Sequence, residues 1–142
     1  MFEYQSELQK IHTAKVPCPP ASASAVDVAA YRWVKNPMTE GCFFPVAIKN
    51  PPRLHALSGP SEQCACWGIS MHSTKDKSIN AFLALEKTVR KARKLFGDHT
   101  AHGALTGAHG SSTPAALNGH FTFHPNKNAA LLWHFTVVQA IP

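Results

Sequence analysis

The sequence predicts an α+β domain, a mostly antiparallel sheet carrying one long amphipathic helix and closing in a C-terminal β-hairpin. Three observations lead there. Short runs with period-two alternation recur along the chain, one stretch from Thr74 to Phe96 has helical spacing, and no strand–helix–strand repetition of the parallel kind occurs. The 142 residues, 44% of them apolar, are enough for one domain with an ordinary core.

Phe2, Leu8 and Ile11 lie among polar residues as in a short amphipathic helix over residues 2–11. Pro-Cys-Pro-Pro and alternating Ala-Ser between Val16 and Ala25 read as an extended connector. Residues 1–25 are therefore expected as an N-terminal segment and connector, and 26–142 as the α+β domain. Val26 to Val34, with Tyr31, Arg32 and Trp33, is rich enough in β-branched and aromatic residues for a strand. Phe43 to Ile48 reads as a second strand, placed at an edge or bulge by Pro45. Asn50-Pro51-Pro52 and Ser58-Gly59-Pro60-Ser61 bracket a long loop.

Ala65 to Met71 is expected to be a central strand. Ala65, Trp67, Ile69 and Met71 share one face, and Cys64, Cys66, Gly68, Ser70 and His72 the other. Ser73 resembles a helix N-cap, with Asp76 three residues on. Ile79, Phe82, Val89, Ala92 and Phe96 then form an inward stripe that stops at Gly97. Thr100 to Leu105 is a further strand, and Thr106 to Gly119 a Gly/Ser/Ala loop. His120-Phe121-Thr122-Phe123-His124 and Trp133-His134-Phe135-Thr136-Val137 both alternate strictly. The turn residues Pro125-Asn126-Lys127-Asn128 between them suggest a hairpin. That pairing sets His120 opposite His134, with Phe121, Phe123, Trp133 and Phe135 in the core and His124 on the wet face.

Only 15% of residues are charged, and the formal charge of +6 is concentrated. Residues 75–94 hold seven cations, among them Arg90, Lys91 and Lys94, against two carboxylates. Such a patch attracts nucleic acid, nucleotides or an acidic protein, although it also suits the C-terminal end of a helix dipole. The chain shows no basic, apolar leader and no run of eighteen apolar residues, so the expectation is a cytoplasmic protein with reduced thiols and no membrane span.

Beyond Glu86 the only acidic side chain is Asp98, which tells against paired-carboxylate hydrolysis or a carboxylate-bound magnesium site in the C-terminal region. Imidazoles remain as acid and base, and two of them with neighbouring cations suit phosphodiester chemistry. His120 and His134 are the candidate catalytic residues, with Thr122 and Thr136. His120-Phe121-Thr122-Phe123 and His134-Phe135-Thr136-Val137 each resemble the His-hydrophobic-Thr-hydrophobic tetrapeptide of the two-histidine phosphoesterases, which implies imidazoles converging on a phosphate. Tyr31-Arg32 followed by Ile69-Ser70-Met71-His72-Ser73-Thr74 resembles ADP-ribosyltransferase-type domains. That resemblance implies a nicotinamide dinucleotide held by an early basic residue and a strand-end Ser or Thr, and Arg32, Ser70 and His72 are taken as candidate binding residues. Cys64-x-Cys66 lacks the spacing of a zinc knuckle. Cys64 and Cys66, or His120 and His124, share a strand face where a tetrahedral site across neighbouring strands is geometrically possible, and Asp98-His99-x-x-His102 offers another ligand cluster, but no metal or cofactor is assigned. The leading expectation is thus a metal-independent, histidine-based enzyme acting on phosphate esters, nucleotides or RNA. The others are a non-catalytic module docking through its basic helix and an ADP-ribosyltransferase-like nucleotide-binding domain.

Overall fold

A computed structural model describes all 142 residues. The helices are α1 (Gln5–Ile11), α2 (Val46–Lys49), α3 (Pro51–Ala56), α4 (Pro60–Cys66), α5 (Lys75–Glu86) and α6 (Ala92–Phe96). The strands are β1 (Val28–Val34), β2 (Ile69–His72), β3 (His99–Leu105), β4 (Gly110–Ser112), β5 (His120–Pro125) and β6 (Phe135–Ala140), with 3-10 turns at Glu40–Phe43 and Leu131–His134. The strands form one sheet in the order β4-β5-β2-β1-β3-β6, every neighbouring pair antiparallel.

Alternation decides the two faces. Ala30, Val34, Ile69, Met71, Ala101, Leu105, Phe121, Phe123 and Phe135 point to one side and pack with Cys42, Phe43 and Leu131 from the 3-10 turns. Gly103 on this face leaves space for the Phe135 ring, since a Cβ there would lie 2.7 Å from a ring carbon. On the other face α5 and α6 cover one end of the sheet, burying Ile79, Phe82 and Ala92 with Ile141 and the partly buried Trp33. Polar contacts fix that docking: Trp33 Nε1 donates to Ser78 O at 2.9 Å, and the buried Ser78 and Thr100 hydroxyls lie 2.9 Å apart. A separate cluster joins Leu8 of α1, Ala47, Cys66 and Trp67 around Cys18 and Cys64.

Several elements depart from the sequence reading. Phe43–Ile48 is no strand, because Pro45, which has no N–H to give a ladder, instead precedes α2 at its N-cap. The expected loop after Asn50 holds two helices, each with a proline in its first turn, where a missing N–H costs nothing. Cys64 and Cys66 fall in α4, so β2 begins only at Ile69 and the sheet face carries no cysteine from this segment. Cys18 and Cys64, expected as reduced thiols, form a disulfide closing a 46-residue separation, while Cys42 and Cys66 are free and buried.

The long helix is broken. α5 ends at Glu86 and α6 starts after Lys91, whose φ of 61° is left-handed and cannot continue a helix. Thr74, not Ser73, is the cap, its Oγ1 accepting from Lys77 N at 3.2 Å. Gly110–Ser112 of the expected loop pairs with β5. The last two strands both form but do not pair with one another: β2, β1 and β3 lie between them. The intervening segment passes through left-handed Asn128 and Ala130 and the Leu131–His134 turn, and so delivers β6 to the free edge of β3. Trp133 lies in that turn, 83% exposed rather than in the core.

Phe123→Ala should therefore destabilise the protein by roughly 3–5 kcal/mol, the usual loss for a buried ring. Trp133→Ala should change stability by less than about 1 kcal/mol. Urea unfolding of the two variants checks this, and equal losses would contradict the assignment of faces.

Candidate functional site: an imidazole row across the sheet

The face opposite the main core carries one continuous cross-strand row. His120 of β5 pairs with His72 of β2, His72 with Tyr31 of β1, Tyr31 with His102 of β3, and His102 with Thr136 of β6. Residues in register point to the same side of a sheet, so five strands contribute one side chain each over about 19 Å at the usual strand spacing. Ser70 and Thr122, two residues along, form the next matched pair.

The row is closely packed at its β5–β2 end. His120 Nε2 lies 2.6 Å from Ser70 Oγ. The His72 ring meets the His120 ring edge-on at 5.7 Å and stacks on Trp33 at 5.4 Å. Tyr31 and His102 rings lie 4.8 Å apart. Burial, with the nearby positive charge of His120 and Arg32 added, pushes the His72 imidazole down to about 4. Burial alone lowers His120 from its ordinary value. Both rings are therefore neutral near pH 7, the form in which a nitrogen can accept the Ser70 proton. Lys77 and Ser73 approach the same end, since a Cβ on Gly119 would lie 2.7 Å from Lys77 Cδ and 3.1 Å from Ser73 Oγ.

Of the residues expected from sequence, the fold gathers Ser70, His72, His120 and Thr122, and puts Thr136 at the exposed far end of the row. His134 is elsewhere. It precedes β6 in the 3-10 turn and lies against His109, ring to ring at 4.2 Å, beside Gly110, which pairs with the opposite end of β5. Without a hairpin nothing brings it to His120. Arg32 points to the core side, its Nε donating to Cys42 O at 3.0 Å and Nη1 to Ser70 O at 2.7 Å. It braces β2 from behind, and burial lowers its guanidinium to about 10. Arg90, Lys91 and Lys94 are exposed around the α5–α6 break, about 18 Å of helix away from the α5 N-terminus beside the row.

Tyr31 and His102 were missed as partners of the histidines. Each lies within a strand expected from the sequence, but only the β1–β2 and β1–β3 registers reveal the row. Asp98 and His99 do pair, at 2.7 Å, yet no three His, Cys, Asp or Glu side chains converge to hold a metal ion. A cavity of about 260 Å³, lined in part by Phe44, Leu132 and Trp133, lies away from the row. Comparison with known protein families, curated proteins and solved structures gives no match.

His124, expected on a wet face, is 1% exposed, and neither ring nitrogen has a hydrogen-bond partner. Burial pushes its imidazole down to about 4. Folded-state values for His72 and His124 thus lie below the ordinary value near 6.5, so the unfolded chain binds protons first as pH falls. Their contribution is complete above about pH 6.5 and is lost progressively toward pH 4. His124→Leu should flatten this acid-side loss when urea midpoints at pH 7.5 and pH 4.5 are compared. An unchanged pH dependence in the variant would show that His124 is not the source.

Proposed function

We propose that the protein is a metal-independent group-transfer enzyme acting on phosphate esters or nucleotides, with Ser70 and His120 as its reactive pair. The observation that carries this reading is the 2.6 Å contact between Ser70 Oγ and His120 Nε2, backed by a second neutral imidazole, His72, in ring contact. In this reading Ser70 Oγ attacks phosphorus and its proton passes to His120 Nε2. The bond from phosphorus to the leaving oxygen breaks, and the imidazolium returns the proton to that oxygen. Water, deprotonated by the same now-neutral His120, then attacks the phosphoserine, the P–Oγ bond breaks and the proton returns to Ser70 Oγ. Lys77 beside Gly119 supports the developing negative charge, and the more distant cations of the α5–α6 break favour the approach of an anionic substrate.

A second reading, a dinucleotide-using domain resembling the ADP-ribosyltransferases, is favoured by one feature. β1 and β2, which carry Tyr31-Arg32 and the strand-end Ser70–Thr74 segment, are direct neighbours with Tyr31 opposite His72. Arg32 on the core side counts against its part in that reading, and Tyr31 takes the place on the exposed face.

A panel of phosphomonoesters, linear and 2′,3′-cyclic phosphodiesters, RNA and NAD tests both. Ser70→Ala and His120→Ala should each lower turnover by about 100-fold or more, and the double variant should be little worse, because paired groups act as a unit. His134→Ala and Thr136→Ala should leave the rate nearly unchanged, and a chelator should have no effect. Turnover confined to NAD would select the second reading. Absence of turnover on every member of the panel, or full activity in His120→Ala, would refute the reactive pair.

A further inference from the structure

Away from the imidazole row, the end of β1, the Glu40–Phe43 turn, α2 and α6 enclose a cavity of about 150 Å³. It is lined by Lys35, Thr39, Gly41, Cys42, Lys49 and Phe96. Arg32 lies behind Cys42, its Nε bonded to the Cys42 carbonyl. No carboxylate lines this space, and none of the three ion pairs in the structure involves Lys35, Lys49 or Arg32.

The cations act on one another. Burial lowers the Lys49 ammonium, and the charges of Arg32 and Lys35 lower it further. Burial by itself would raise the Cys42 thiol, but the main-chain groups of Thr39 and Lys35, the Thr39 hydroxyl and the Lys49 charge together bring it below its ordinary value. Lys35, Thr39 and Lys49 reach solvent at the mouth of this concavity while Cys42 is buried, and a concave surface with uncompensated charge of one sign concentrates the opposite ion. Phe96 makes one wall apolar, which keeps that field from being screened by water on its side. The space suits a tetrahedral ion, and it is too small for a whole nucleotide.

We propose that this cavity is a binding site for a small phosphate-type oxyanion, held by the ammonium groups of Lys35 and Lys49 and the hydroxyl of Thr39. The bound ion supplies the missing counter-charge for Lys35, Lys49 and Arg32. It also stands in front of the Cys42 thiol, which becomes a reporter of occupancy. The proposal does not rest on the enzymatic reading of the Ser70–His120 pair.

The test labels the intact protein with iodoacetamide and reads Cys42 by peptide mass, with Cys66 as the internal reference. Inorganic phosphate at several times its dissociation constant should slow Cys42 labelling by about fivefold relative to chloride of equal ionic strength, as occupancy requires. Cys66 should be unaffected. The Lys35→Gln/Lys49→Gln double variant should lose the protection while melting no lower than the parent in chloride, because a repulsion has been removed. Protection by glycerol phosphate as well assigns the site to a phosphate monoester, and protection by inorganic phosphate alone assigns it to the free ion. Phosphate no more protective than chloride, or equally protective in the double variant, overturns the proposal. If Cys42 is unreactive in chloride too, the ³¹P line of phosphate is read instead. Broadening by the parent but not by the double variant is expected, and equal widths overturn the site.

Discussion

The structure depends on the register of β2 against its two neighbours. β2 has only four residues, yet Ile69 and Met71 enter the main core while Ser70 and His72 meet Thr122, His120 and Tyr31 on the other side. Because side chains alternate with period two, a slip of one residue would exchange these sets. It would drive two polar side chains into a cluster built from Phe121, Phe123 and Leu105, and it would remove two large apolar ones from it. Burial of the apolar set in the core, at about 25 cal/mol per Å², and the cost of placing an imidazole and a hydroxyl there without partners select one register.

That selection has an electrostatic consequence. The imidazoles are gathered on a face that α5, Trp33 and the neighbouring strands partly cover, so they are desolvated without any carboxylate to compensate. Histidines in that setting stay neutral and become acceptors, in contrast to a wet surface array that would charge on mild acidification. The same scarcity of acids shows on the core side. Arg32 is held there by two main-chain carbonyls in place of a carboxylate, linking the Cys42 turn to the strand that presents Ser70. A shift of that turn would therefore be felt at the back of β2.

The covering elements depend on local rules that outweighed the period-two pattern in a few places. Pro45, Pro51 and Pro60 begin helices in a region whose apolar residues had suggested a strand and a loop, because proline is tolerated at a helix start and excluded from a ladder interior. The disulfide between Cys18 and Cys64 ties the N-terminal segment to α4 beneath Trp67, and no helix in the chain is long and apolar enough to cross a membrane.

What the sequence determined by itself was local. The class of fold follows from the order of elements, the strand at Val28–Val34 from its β-branched and aromatic residues, and the strands at Ile69–His72 and His120–Pro125, with the faces of Phe121, Phe123, Ser70 and His72, from alternation, all of them properties of neighbouring residues. The tertiary structure decided which strands meet. A four-residue turn signal after His124 suggested a hairpin, but β4 and β2 occupy both edges of β5, leaving β6 to pair with β3. Pairing partners far apart in the chain are chosen by the summed fit of whole faces, which no short motif encodes. For that reason His120 found Ser70 and His72, fifty and forty-eight positions away, while His134, only fourteen positions on, packs against His109.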